Sequence, residues 1–134
     1  MTSSNLTTAP DEPGDETTDL YSGLGSVVYA LAHVDKQVHF DNLQTVRDLL
    51  TGIPNGNLAL SAYFQRDHCN ETAEEAYALA LNRFASNRKT LNAIIRAQFV
   101  NILLQIADAN GNVSPKQQEL INRFRRDLRR LSSA

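Results

Sequence analysis

The sequence is short of everything that would staple a fold or anchor it in a membrane. Of its 134 residues one is cysteine, Cys69, and none is tryptophan. A lone cysteine excludes an intramolecular disulfide and any multi-cysteine zinc site. No apolar run approaches the ~20 residues of a membrane span. No basic stretch followed by an apolar one opens the chain, so no secretory signal is read. Charge of one sign is scarce as well: 13 Lys and Arg stand against 15 Asp and Glu, a formal net charge of -2. What is there is an ordinary globular balance of 42% hydrophobic and 21% charged residues. A chain of this length buries roughly two thirds of its unfolded surface without help from disulfide or metal. These totals point to a cytoplasmic domain and suggest no activity of their own.

The small net charge hides an uneven distribution. Residues 1–19 hold Asp11, Glu12, Asp15, Glu16 and Asp19 and no Lys or Arg, while the rest of the chain is net basic. This leader is rich in Thr, Ser and Pro and poor in large apolar side chains, so it buries too little surface to offset the entropy of ordering. The expected organisation is therefore a disordered acidic tail over 1–19, read as a solubilising extension, and one folded domain over 20–134.

From Leu20 onward the apolar spacing is three and four, with no strand-like alternation. Leu24, Val27, Val28 and Leu31 form one stripe. Phe40, Leu43, Val46 and Leu50 form a second, which Gly52 is expected to close in a left-handed conformation. Asn57 is expected to cap a short helix carrying Leu58, Ala62 and Phe64. Thr72 and Glu75 have the spacing of a capping box, opening a helix with Ala73, Ala76, Tyr77, Ala80, Leu81 and Phe84 on one face. Thr90 is expected to start the most apolar helix, with Leu91, Ile94, Ile95, Phe99, Ile102, Leu103 and Ile106. So wide a stripe predicts a central helix, buried around most of its circumference. After the break Asn110-Gly111-Asn112, Ser114-Pro115-Lys116-Gln117 opens a last helix whose core stripe is Ile121, Phe124, Leu128 and Leu131. The expected fold class is all-α: a single compact helical domain of six or seven helices.

The chain also repeats itself. A shift of 75 residues carries Val27-Val28 onto Ile102-Leu103, Leu31-Ala32 onto Ile106-Ala107, Asp35 onto Asn110, Val38 onto Val113 and Val46 onto Ile121. Each copy is an apolar helix, a short polar loop and a second amphipathic helix. Twin helix hairpins are expected to pack about a pseudo-two-fold axis, with their loops near each other.

The same residues carry a family resemblance. Ala32-His33-Val34-Asp35-Lys36-Gln37-Val38 and Ala107-Asp108-Ala109-Asn110-Gly111-Asn112-Val113 resemble the two Ala-x-x-Asp-Gly-x-Ile/Val signatures of the TerB-like (tellurite resistance protein B) family. The resemblance covers about Gly23 to Leu131, and the stretch from Glu74 to Phe84 is similar to single-domain members of that superfamily. It implies an all-α fold, a stress-associated or regulatory role, and an acidic, metal-binding patch around the paired loops. Family members also occur as modules attached to membrane proteins and to J-domain co-chaperones. This chain departs from the pattern with Lys36 where the family prefers glycine and Asn110 where it prefers aspartate. Asn42 and Gln117 stand where the family carries an acid seven positions after each loop aspartate.

Candidate sites follow from the loops and from the charges. Asp108, Asn110 and Glu119 suggest a calcium loop, but the glycine and the aliphatic residue fall two positions early for one, and an ordinary helix-turn-helix connection is the better reading. A weak shared divalent-metal site built from Asp35, Asp108, Asn110 and Glu119 is the remaining cofactor candidate; no other cofactor is expected. His33 and His39 flank Asp35 and are read as loop hydrogen-bonders, and Cys69 beside His68 as a partly buried thiol. Arg123, Arg125, Arg126, Arg129 and Arg130 crowd the last helix. Cations there complement the helix dipole, so a solvated face is favoured over nucleic-acid or anionic-membrane binding. Tyr29, Tyr63, Phe64 and Tyr77 are read as core. The functional expectation is a non-enzymatic regulatory or stress-response binding module with a protein partner; peripheral membrane contact and a homodimer stay open. A divalent-metal binder is the alternative. An enzyme ranks last, because no carboxylate pair, activated nucleophile or glycine-rich phosphate cradle is recognised.

Overall fold

Twelve of the nineteen residues of the first helix are buried, and they fall all round its circumference. A helix with that pattern has neighbours on every side, and the fold is arranged around it. The computed structural model describes residues 15–35, 43–109 and 113–132. Among these it contains six helices and no strand: α1 (Asp15–His33), α2 (Leu43–Thr51), α3 (Gly56–His68), α4 (Ala73–Ser86), α5 (Ala93–Asp108) and α6 (Pro115–Ser132). The all-α expectation holds. The central helix, however, is α1 and not the more apolar α5: α1 packs most extensively against α3 and α4, and also against α5 and α6. Ile94, expected in the core, is 80% exposed. Large side chains on α5 fill one face only. The small residues of α1, among them Gly25, Ser26 and Ala30, admit neighbours on several sides.

The closest approach is at Gly25. A Cβ there would lie 1.9 Å from the backbone oxygen of Ala59 on α3, so the two backbones touch where any side chain would hold them apart. Gly56 plays the same part between α2 and α3, since a Cβ on it would lie 1.5 Å from the carbonyl oxygen of Leu50. That contact fixes where α3 begins. Asn55, at φ 62°, turns the chain into the helix without a side-chain cap, replacing the expected cap at Asn57. Gly52 lies outside the left-handed region and donates to the Asp48 carbonyl at 3.2 Å. The left-handed residue that ends a helix is instead Asn70, at φ 56° after α3. The Glu71 N–H bonds to the Arg66 carbonyl and the Asn70 N–H to the Asp67 carbonyl, the bond pair of a Schellman motif.

Both capping boxes form as expected. Thr72 accepts from the Glu75 N–H at 3.1 Å while the Glu75 carboxylate accepts from the Thr72 N–H at 2.9 Å; such a cap contributes about 1 kcal/mol. Ser114 and Gln117 make the same exchange, each bond 3.2 Å. The cap of α5 is Asn92, which accepts from the Ile95 N–H, two residues beyond the expected start at Thr90. Helix α1 begins at Asp15, so the last five residues of the expected tail are helical. Asp19 pairs with Arg83 at 2.9 Å and accepts from the Asn87 side chain, and Glu16 accepts from the Thr90 hydroxyl. Residues 1–14 lie outside the described residues, as do Phe40, Val38, His39 and the Asn110-Gly111-Asn112 break.

The two copies of the repeat share part of their packing. Helices α1 and α5 end at His33 and Asp108, the shift seen in the sequence. Helix α2 packs on α5 and α6 on α1, while α1 and α5 meet each other; within the hairpins the copies differ, because α6 packs on α5 whereas α2 reaches α1 mainly through α3. Buried Gln117 joins the halves: its Nε2 donates to the Leu31 carbonyl in the last turn of α1 at 3.4 Å. The copies differ in what covers them. Among the described residues, α3 and α4 pack closely on α1 and make no comparable contact with α5.

Replacing Gly25 with alanine tests the α1–α3 contact. Helix propensity alone favours alanine by roughly 1 kcal/mol, whereas overpacking against rigid backbone costs typically 1–3 kcal/mol or more. Gly25→Ala is expected to lower stability by about 2 kcal/mol in urea unfolding; a midpoint at or above the parent's would contradict the contact.

Candidate functional site

Three of the four loop-site residues expected from the sequence are described, and they are distributed over separate helix ends. Asp35 follows the end of α1, Asp108 is the exposed last residue of α5, and Glu119 is exposed in the second turn of α6; Asn110 lies outside the described residues. The Gln117–Leu31 bond brings the start of α6 to the end of α1. Glu119 itself borders a shallow depression shared with Arg123 and Arg126, so cations rather than carboxylates are its neighbours there. Among the described residues no group of three His, Cys, Asp or Glu side chains could hold a metal ion.

Of the histidine and thiol candidates, His33 packs on an aromatic ring and Cys69 faces solvent, while His39 lies outside the described residues. The His33 ring stacks on Tyr29 with centroids 4.0 Å apart, and Nδ1 bonds the Tyr29 carbonyl at 2.9 Å. A carbonyl only accepts, so Nδ1 carries the proton. Nε2 lies 3.9 Å from the Asp67 carboxylate. Cys69, expected to be partly buried, is exposed at the end of α3, because the Schellman turn lifts it out of the helix-packing face.

The tyrosines are core groups, as expected, but each phenol has its own setting. Tyr29 donates to the Glu71 carbonyl at 2.7 Å and Tyr21 to the Gln98 side chain at 3.3 Å. Tyr63 packs edge-on to Tyr29, centroids 5.6 Å apart. Tyr77 donates to Asp127 at 2.6 Å, and the Arg123 guanidinium lies 4.3 Å from its ring centroid. Arg123 also bonds both carboxylate oxygens of Glu74, at 3.0 and 3.2 Å. One of the five clustered arginines is thus an α4–α6 clamp seated on an aromatic ring and not part of the solvated face expected from the sequence.

Two other arginines of α6 mark an open, mostly apolar cleft. Arg125 and Arg129, with Arg96 from α5, rim a cleft of about 430 Å³ whose floor is Ala97, Val100, Leu104 and Leu128, with Asn101 at its side. Arg96 is held in place by a bond from Nη1 to the Leu91 carbonyl at 2.8 Å. Ile94, one helical turn before Ala97 and Gln98, extends the apolar surface along α5. An apolar trough with cationic edges suits a ligand that is apolar along its middle and anionic at its flanks. Sequence reading missed this site because it took α5 as the central helix, buried around most of its circumference. The signal was present in Ala97, Asn101, Gln105 and Asp108, a line of small and polar residues at helical spacing beside Val100 and Leu104.

Set beside known proteins, the chain matches no family model, no curated protein and no solved structure.

Alkaline titration checks the tyrosine environments. Burial raises all four phenols above their ordinary value. Tyr63 is pushed up to about 12, by burial first and then by Asp67 and Tyr29. Tyr77 goes higher, through burial and then the Asp127 hydrogen bond, with Arg123 and Arg126 opposing. The folded state keeps protons that the unfolded chain releases near pH ~10. Stability from Tyr63 is therefore complete below pH ~10 and lost as pH rises through about 12. Phenolate absorbance of the native protein is expected to rise only above the ordinary tyrosine range and to return to that range in denaturant. Four normally titrating tyrosines in the native protein would contradict the packing.

Proposed function

We propose that the chain is a non-enzymatic, TerB-like regulatory or stress-response module that works in the cytoplasm by binding a protein partner. The paired loop signatures after α1 and α5 support the kinship, and the packing shared by the two copies agrees with it. The absence, among the described residues, of any helix long and apolar enough to cross a membrane agrees with the location. One observation carries the binding role: the α5–α6 cleft, apolar along its floor and rimmed by Arg96, Arg125 and Arg129. The fitting ligand is a partner segment with apolar residues along its contact line and Asp or Glu at its edges. Charge steers such a segment in, and desolvation of the floor holds it.

Panning the full chain against a random linear peptide library tests this reading. The selected peptides are expected to join apolar residues to flanking acids, and to bind at least tenfold more weakly to Ala97→Asp and to Arg125→Glu. Both positions are exposed, so the helical circular dichroism of the variants should match the parent's. Failure to enrich, or equal binding to both variants, would refute the role of the cleft.

A further inference from the structure

The α5–α6 cleft is the image, under the internal repeat, of a place the fold already fills. Helix α3 lies against α1 and α2. On α1 its seat includes Gly25, under the Ala59 backbone, and Tyr29, edge-on to Tyr63. Ser22 and Ser26 share a small cavity with Leu58 and Ala62 of the same helix. The end of α2 completes the seat, where Leu50 and Ile53 meet Gly56. The shift of 75 residues that carries Val27 onto Ile102 carries these positions onto Ala97, Val100, Asn101, Leu104, Arg125 and Leu128. All six line the cleft. In the first half a helix occupies the seat. In the second half, among the described residues, no helix does.

We infer that the α5–α6 cleft receives an α-helix of the partner protein, laid across α5 and braced on α6 as α3 is laid across α1 and braced on α2. This inference rests on the binding role proposed above and specifies its ligand.

Two substitutions within the repeat define how the incoming helix differs from α3. Val100 stands where α1 has Gly25. The backbones therefore cannot touch, and the visitor rides at the ordinary distance of packed helices, ~8–10 Å between axes. A side chain of Leu or Met size, not an alanine like Ala59, fills the gap at the crossing. Arg125 stands where α2 has Leu50. Leu50 is buried and meets α3 through its backbone carbonyl, whereas Arg125 is exposed at the rim of the cleft, so the visitor carries Asp or Glu on the flank toward α6. A helix held by apolar packing at every point would become part of the core. One held through exposed arginines can come and go with ionic strength.

Two constrained libraries of the same acidic and apolar composition distinguish the alternatives. One displays its variable residues on the face of a stable helical hairpin scaffold, the other in a short disulfide-closed loop that cannot form a helix. Binding of selected clones to the full chain is read by fluorescence anisotropy, with Ala97→Asp as the control for the cleft. The expected result is that helical clones bind at least tenfold more tightly than loop clones and lose that binding on Ala97→Asp. A second signature is expected from Val100→Gly, which restores the residue found on α1. Reselection on that variant should change the preferred residue at the crossing from Leu or Met to Ala or Gly. If loop clones bind as tightly and remain sensitive to Ala97→Asp, the cleft is a docking site but the helical seat is wrong. If neither library yields a clone sensitive to Ala97→Asp, both readings fall.

Discussion

The contact on which the architecture turns is the meeting of two backbones, α1 and α3, at Gly25. With no Cβ to separate them, the carbonyl of Ala59 comes into direct contact with the helix it packs on, and α3 lies close enough for Tyr29 and Tyr63 to meet edge to face. The hydroxyl of Tyr29 then reaches the backbone just after α3, at Glu71, two residues before α4 begins. One missing side chain thus sets the position of α3 and, through the phenol, the turn that aims α4. Gly56 fixes the other end of α3 against α2 in the same way. Such packing is sensitive to single atoms because protein interiors have the density of molecular crystals, and rigid backbone cannot move aside.

What could be read from the sequence was the chemistry that acts over three or four residues. Thr72 with Glu75 and Ser114 with Gln117 announce helix starts because each side chain needs only its own first turn to find a partner. The apolar stripes likewise give the helices and their inward faces. What could not be read depends on partners far along the chain. Asp19 belongs to α1 because Arg83 and Asn87 are there to meet it, more than sixty residues away. Helix α3 starts at Gly56 because the carbonyl of Leu50 leaves no room for anything larger. The exchange of roles between α1 and α5 has the same origin. Counting apolar residues measures how much a helix can bury, whereas the number of neighbours it has depends on how small its other faces are.

Gln117 suits its place between the two halves of the repeat because it is an amide and not an acid. Its oxygen accepts from the Ser114 N–H, a bond a carboxylate could also make, but its nitrogen donates to the carbonyl of Leu31. A carboxylate has no proton to donate there at neutral pH. In this chain the position joins the two halves of the repeat. The same halves diverge along the α5–α6 cleft, where Val100 on α5 and Arg125 on α6 stand in place of Gly25 and Leu50. The candidate site was hidden in the sequence for that reason: it is defined by what one copy lacks relative to the other, and only the packed structure shows which copy is covered.

The burial of α1 on every side has a consequence for biosynthesis. The helix that ends up innermost leaves the ribosome before any of the helices that enclose it. Its covering arrives only with α3 and α4, about fifty residues later, which at ~5–20 residues per second is roughly 3–10 s. Throughout that interval the nascent chain carries a segment too apolar to be comfortable in water and too short of partners to be buried. The fold therefore makes its greatest demand on hydrophobic-binding chaperones early, during translation, and not after release.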